Sequence, residues 1–158
     1  MATRSNIAYK TPEGKIRSAY CHWDGYPAHN GEMLRRYYTD YDKVKQLVDL
    51  GQISYLRKNI NPTNTTHSFE TPQEDVTVFY GRDRGEENVG YQEYNDFAEY
   101  VDAGEEYMYF FDGTDWIVNK HQAKDDNGFP IFDYVETLIT PDMLEELGWE
   151  PMGVTGLN

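Results

Sequence analysis

Fourteen tyrosines among 158 residues argue against a disordered polypeptide, which is poor in aromatics, and the length suits one ordinary domain rather than two. A net charge of −14 repels nucleic acid and anionic membranes, so neither is expected as a direct partner. No apolar run approaches the roughly 20 residues a membrane span needs. The single cysteine, Cys21, allows no intramolecular disulfide, and the amino terminus has no apolar signal region, so secretion is not expected.

The charge is split along the chain. Residues 1–60 hold ten Lys/Arg and six Asp/Glu, whereas residues 61–158 hold four and 22. From Gly85 to Asn119 there are ten acids and no Lys or Arg. Such a stretch either keeps the protein soluble or attracts a basic protein surface.

In chain order, Asn6–Lys10 and Lys15–Cys21 read as two strands around the turn Thr11-Pro12-Glu13-Gly14. A corner follows from Cys21 to Gly31, with the turn dipeptides Asp24-Gly25 and Tyr26-Pro27. Asn30 is placed to cap a helix over Glu32–Tyr38, and Asp40 to cap another over Tyr41–Leu50, which Gly51 stops. Ile53–Leu56 is a short helical or extended piece. Asn59–Asp75, rich in Asn, Thr and Pro, is a long loop. Val76–Tyr80 carries the densest strand pattern and is expected at the centre of a sheet, with a charged loop from Arg82 to Glu87 after it. Gln92–Asp102 suggests an acidic helix burying Tyr94, Phe97, Ala98 and Val101. Tyr107–Phe111 and Trp116–Lys120 form a hairpin around Asp112-Gly113-Thr114-Asp115. Phe129–Leu138 favours helix slightly, Thr140 caps a last helix, and residues 151–158 read as a flexible tail. The order predicts an α+β domain over residues 1–150: a mostly antiparallel sheet of about five strands with helices packed on one face.

The chemistry-bearing residues concentrate at the corner, Tyr20-Cys21-His22-Trp23-Asp24-Gly25-Tyr26-Pro27-Ala28-His29-Asn30-Gly31. His22, His29 and Asp24 are an incomplete metal set with no established spacing, so no metal and no cofactor is assigned. Cys21 as a nucleophile lacks a base, because adjacent strand residues point apart, and it reads as a small core residue. No catalytic residue is assigned. The expected alternative is a hydrogen-bonded corner fixed by His22 and Asp24, with Trp23 as its buried core anchor. Arg82 and Arg84, with His67, could instead join His22, Trp23, Asp24, Tyr26 and His29 around an anionic ligand, the rings stacking on a base. The bland reading is that both arginines pair with local acids.

The opening Met1-Ala2-Thr3-Arg4-Ser5 and the run Tyr20 to Pro27 resemble a family of small proteins encoded by tailed bacteriophages. The likeness continues through Gly31, Tyr38, Asp40, Lys43-Val44, Leu47, Leu50-Gly51 and Ile53-Ser54, then His67-Ser68-Phe69 and Val76 to Glu86. It is close up to about residue 90 and loose beyond. The resemblance implies a phage origin and action in the cytoplasm of an infected bacterium; the family has no assigned catalytic or ligand residues. Two functions are therefore expected as alternatives. One is an accessory protein that binds and inhibits a host enzyme or defence component through its acidic, Tyr-rich half, with Glu93, Glu99, Glu105 and Glu106 in the contact. The other is a pocket protein that binds or cleaves a small phosphorylated molecule such as a defence-signalling nucleotide.

Overall fold

The computed structural model describes residues 2–124, 130–132 and 137–138, with side chains through Val118. The first two strands form the expected hairpin: β1 (Ser5–Lys10) pairs antiparallel with β2 (Ile16–Cys21), Ile7 opposite Ala19. One wide helical turn, Pro27–Gly31, leads into α1 (Glu32–Tyr37). Asp40 caps α2 (Tyr41–Asp49) by accepting from Lys43 N–H, and Gly51, at φ +91°, ends the segment. β3 (Ile53–Tyr55) then lies parallel to β2, and β4 (Val78–Phe79) antiparallel to β3. After α3 (Tyr80–Arg84), β5 (Gln92–Tyr94) returns beside the first half of β2. α4 (Phe97–Asp102) precedes the second hairpin, β6 (Tyr107–Phe111) and β7 (Trp116–Lys124). β6 lies parallel to β1, and β8 (Pro130–Phe132) and β9 (Thr137–Leu138) pair with β7.

The result is an α+β fold around a mostly antiparallel sheet in the order β4-β3-β2-β1-β6-β7-β8, with β5 on β2 and β9 on β7. The described residues hold nine strands rather than about five. The extra ones run only two or three residues, too short for an alternation pattern to show in sequence.

Side-chain alternation explains the layers. Ile7, Tyr9, Ala19, Cys21, Tyr107, Tyr109, Phe111, Trp116 and Val118 face one way and pack on Leu34, Val44, Leu47 and Val48 from α1 and α2. Their neighbours Ala8, Ile16, Met108 and Phe110 face the other way and pack on Tyr100 and Val101 of α4. Helices therefore cover both faces, not one as the element order suggested. Strands apolar at every position, as Tyr107–Phe111 is, need cover on both sides.

Other expectations change for local reasons. Val76–Tyr80 is not a central strand: Val78–Phe79 pairs at the sheet edge against β3, and Val76 makes only an isolated parallel bridge with Asn59. Thr77 is drawn aside by hydrogen bonds to Arg57 N–H and Arg57 O, and Tyr80 begins α3, so Arg82–Arg84 are helical rather than loop. Gln92–Asp102 divides into β5 and α4, because Asp96 accepts from Glu99 N–H and starts the helix there. The portions of Phe129–Leu138 that are described are strands, paired to β7. The helix expected after Thr140 and the tail 151–158 lie outside the described residues.

Candidate functional site

The Cys21–Gly31 corner is a fastening between strands. Beyond β2 the chain keeps bonding to β3: His22 N–H donates to Ile53 O (2.9 Å) and Trp23 N–H to Ser54 O (3.1 Å). It then turns at Asp24 (φ 58°), and Gly25 N–H donates to Thr3 O at 2.8 Å. A Cβ at Gly25 would sit 2.8 Å from that same oxygen, so the close approach demands glycine. The fastener is Asn30. It is fully buried, and its amide donates to Ser5 Oγ (3.4 Å), Cys21 Sγ (3.3 Å) and Trp23 O (3.3 Å). The sequence pattern predicts Asn30 as a helix cap, but in the structure its side chain caps no helix. Only its place after a double turn hinted at the larger role.

The expected corner residues take lesser parts. His22 Nδ1 meets the Tyr20 hydroxyl at 2.7 Å, and Asp24 accepts from Tyr26 Oη at 3.3 Å. His29 Nδ1 lies 2.9 Å from Asn30 Oδ1. Cys21 is wholly buried; burial pushes its thiol up to about 12, which leaves it uncharged and unreactive near neutrality. Trp23 is not the core anchor the sequence suggested. It is half-buried and stacks on Tyr55, itself 36% exposed, with ring centroids 5.9 Å apart and planes 11° apart. His22 meets the indole edge-on at 4.7 Å, and the Arg57 guanidinium lies over Tyr55. Trp23→Ala is therefore expected to cost about 1–2 kcal/mol in urea unfolding rather than the 3–5 kcal/mol of an emptied core site. A loss in the larger range would restore the anchor reading.

His67 and Arg82 do converge, on Asp83. Arg82 Nε and Nη2 donate to the two Asp83 oxygens (2.8 and 3.1 Å), and its remaining donors reach Ile60 O and Thr77 O. Gln73 N–H donates to His67 Nδ1 at 2.9 Å. The imidazole proton is thereby placed on Nε2, which faces Asp83 Oδ2 at 3.2 Å. Asp83 also accepts from Phe79 N–H (2.8 Å). Its burial raises the carboxyl, but these donors outweigh burial and hold it below the ordinary 3.8. Both His67 nitrogens are thus engaged within the protein, and Nε2 also lies 3.4 Å from Arg82 Nη2. The node clasps the long Asn59–Asp75 loop against β4 and α3. Arg84 points elsewhere: half-exposed, it lies over Phe69 and pairs with Glu86 at 3.7 Å. Both arginines thus take local acids.

The eight candidates consequently fall into two groups. His22, Trp23, Asp24, Tyr26 and His29 share the corner, while His67, Arg82 and Arg84 gather around α3. Two recesses lie elsewhere. One, of about 340 Å³, is lined by polar residues including Lys43, Asn59 and Gln73. The other, of about 440 Å³, lies between the β1–β2 turn, the start of α4 and the second hairpin. None of the eight lines either one. Among the described residues no three His, Cys, Asp or Glu side chains gather to hold a metal ion, and no helix is long and apolar enough to cross a membrane.

The acids of Gly85–Asn119 are mostly at the surface. Nine of the ten are exposed, and the tenth, Glu105, is half-buried. Of the four expected contacts, Glu93 pairs with Arg17 at 3.2 Å, and Glu99 closes the start of α4 by accepting from Asn95 N–H. Burial pushes the Glu105 carboxyl up, and Arg4 opposes that shift. Glu106 is exposed beside it. Comparison of the chain with protein-family models, with curated proteins and with solved structures finds no match.

Proposed function

We propose that this chain is a non-enzymatic binding protein that docks the acidic surface of its second half, where Tyr91 is the exposed tyrosine among the described residues, on a basic surface of a host enzyme or defence component and blocks it. The observation that carries the reading is the unbroken sign of the segment: ten carboxylates from Gly85 to Asn119 without one Lys or Arg among them in the sequence, nine exposed. The cations that answer them come from elsewhere in the chain, Arg17 to Glu93 and Arg84 to Glu86. The likeness of the first half to tailed-phage proteins supplies the setting, the cytoplasm of an infected bacterium. The pocket reading is weaker. Its arginines are engaged by Asp83, Glu86 and backbone carbonyls, and its three candidate histidines are divided between the corner and the α3 node.

The test is association kinetics with a basic protein captured from bacterial lysate. Charge attraction reaches about 8 Å at physiological ionic strength and about 3 Å at 1 M, and it accelerates encounter more than it deepens affinity. The association rate should fall about tenfold or more from low to high salt while dissociation changes little. Replacing Glu93, Glu99, Glu105 and Glu106 with Gln should reproduce that fall at low salt without lowering Tm. A quadruple variant that associates as fast as the parent would make the face merely solubilising and return attention to Trp23, Tyr55 and Arg57.

A further inference from the structure

Among the described residues the second face of the sheet is incompletely covered. α4 has six residues, and its buried members, Tyr100 and Val101, sit over Ala8 and Met108. It cannot reach across the whole face. What remains open is the cleft of about 440 Å³, floored by Ile16 of β2, Phe97 of α4, Phe110 of β6 and Ile117 of β7. Phe97 and Phe110 meet edge-on there, with centroids 5.1 Å apart. Its volume is in the range of clefts that hold ligands, about 300–1,000 Å³.

Polar groups occur at the rim, not in the floor. Asp96 Oδ1 accepts from Glu99 N–H (2.9 Å), and Asp112 Oδ1 from Thr114 and Asp115 N–H (2.8 and 2.7 Å). Each carboxylate is exposed and keeps its other oxygen without a partner among the described residues. Glu99 and Asp115 add charge nearby, so carboxylates outnumber Lys10, at one end of the rim, and Lys15, whose ammonium bonds Asn95 Oδ1 at 2.6 Å. A small-molecule site orients its ligand with polar atoms set into the floor. This floor offers hydrocarbon and aromatic rings, beneath a ring of mainly negative charge.

We propose that this cleft is the anchor site of the acidic face: it takes one bulky apolar side chain of a basic polypeptide, whose flanking Lys or Arg residues pair with Asp96 and Asp112. The inference rests on the acidic face being the docking surface and names what that surface grips. An apolar anchor in a desolvated recess governs dissociation, while the surrounding charge governs encounter.

The probes are three synthetic pentapeptides: Lys-Arg-Phe-Arg-Lys, the same with Gly in place of Phe, and Ser-Ser-Phe-Ser-Ser. Binding is measured by fluorescence anisotropy at low and physiological salt. The Phe peptide with basic flanks should bind about tenfold more tightly than either of the others, the loss of one anchored side chain being worth about that factor. In the double variant Asp96→Asn/Asp112→Asn, affinity for it should fall about fivefold and its salt dependence should flatten. The variant keeps the fold, because Asn caps a helix and closes an Asx turn as well as Asp does. In Phe97→Ala the advantage of Phe over Gly should vanish. Equal, salt-sensitive binding of the Phe and Gly basic peptides would overturn the anchor and leave the acidic-face reading standing. No binding of either basic peptide at low salt would overturn both. Equal binding of the Ser-flanked and basic Phe peptides would make the occupant an apolar ligand. A parent dimer lost in Phe97→Ala would assign the cleft to a second copy. A Phe97→Ala variant that melts far below the parent yet binds the peptides unchanged would mean that the chain fills its own cleft. Each of these last three also overturns the proposal.

Discussion

Arg82→Ala is expected to lower stability by about 3–5 kcal/mol, the cost of removing one partner from a buried ion pair, and Tm by about 10 °C. The Asp83 side chain is 4% exposed and that of His67 2%. Without the guanidinium the carboxylate would stay buried with only Phe79 N–H and His67 to answer its charge. Ile60 O and Thr77 O would each lose a donor, so the Asn59–Asp75 loop would loosen together with β4. A paired measurement gives the sign of the pH dependence. The Asp83 carboxyl is held below 3.8 in the fold. A carboxyl lowered by folding stabilises above its unfolded value, and that contribution is lost as pH falls through the folded one. The parent should therefore keep this stabilisation down to acid pH and shed it below 3.8, whereas Arg82→Ala, already destabilised at neutral pH, should lose less on acidification because the donors that offset burial are gone. Asp49, lowered by hydrogen bonds from Lys45, Tyr9 and Arg17 against the effect of burial, contributes in the same direction. Urea unfolding across pH 3 to 7 reads both effects. An Arg82→Ala variant that melts with the parent would show that the node is a surface ion pair with no structural duty.

Tyr109→Ala should be comparably severe, about 3–5 kcal/mol, for a different reason. Tyr109 sits in β6, beside β1 at the middle of the sheet, with no exposed surface. Its ring fills the core between the sheet and α1, and its hydroxyl donates to Gly25 O at 2.6 Å. One side chain thus joins the sheet centre to the corner. Tyr109→Phe separates the two contributions. It keeps the packing and leaves the buried Gly25 carbonyl without that donor, a cost of about 1–3 kcal/mol. If Tyr109→Phe were as destabilising as Tyr109→Ala, the hydroxyl and not the ring would hold the corner. If both were near neutral, the corner would be secured by Asn30 alone. The contrast with Trp23→Ala makes the comparison sharp: the larger aromatic, in the more unusual sequence context, should matter less.

That contrast shows what a linear pattern can carry. The first hairpin was legible because Thr11-Pro12-Glu13-Gly14 is turn chemistry between alternating segments, and the second because Asp112-Gly113-Thr114-Asp115 divides two aromatic runs. α2 was legible from Asp40, its helical spacing of Val44, Leu47 and Val48, and Gly51. In each case the determining interactions lie within about ten residues, the range over which capping and periodicity act. The burial of Cys21 and the pairing of Arg82 and Arg84 with neighbouring acids were readable on the same grounds.

The rest was decided by residues distant in the chain. Val76–Tyr80 has strand composition, but only contact with Ile53–Tyr55 determined that it would be an edge and end in α3. Asn30 and Trp23 exchanged roles because Ser5, Cys21 and Trp23 O surround the first, while Tyr55, more than thirty residues on, offers the second a surface stack. The two-sided cover of the sheet, and with it the cleft between Ile16, Phe97, Phe110 and Ile117, follows from the parallel docking of β6 on β1. By itself the sequence determined the local elements, the separation of charge and the absence of any disulfide within the chain. Only the tertiary structure decided which aromatic rings are anchors, which arginines are spent and where the acidic face opens onto an apolar floor. Local signals act through neighbouring residues, whereas burial depends on strand pairings made across the whole chain.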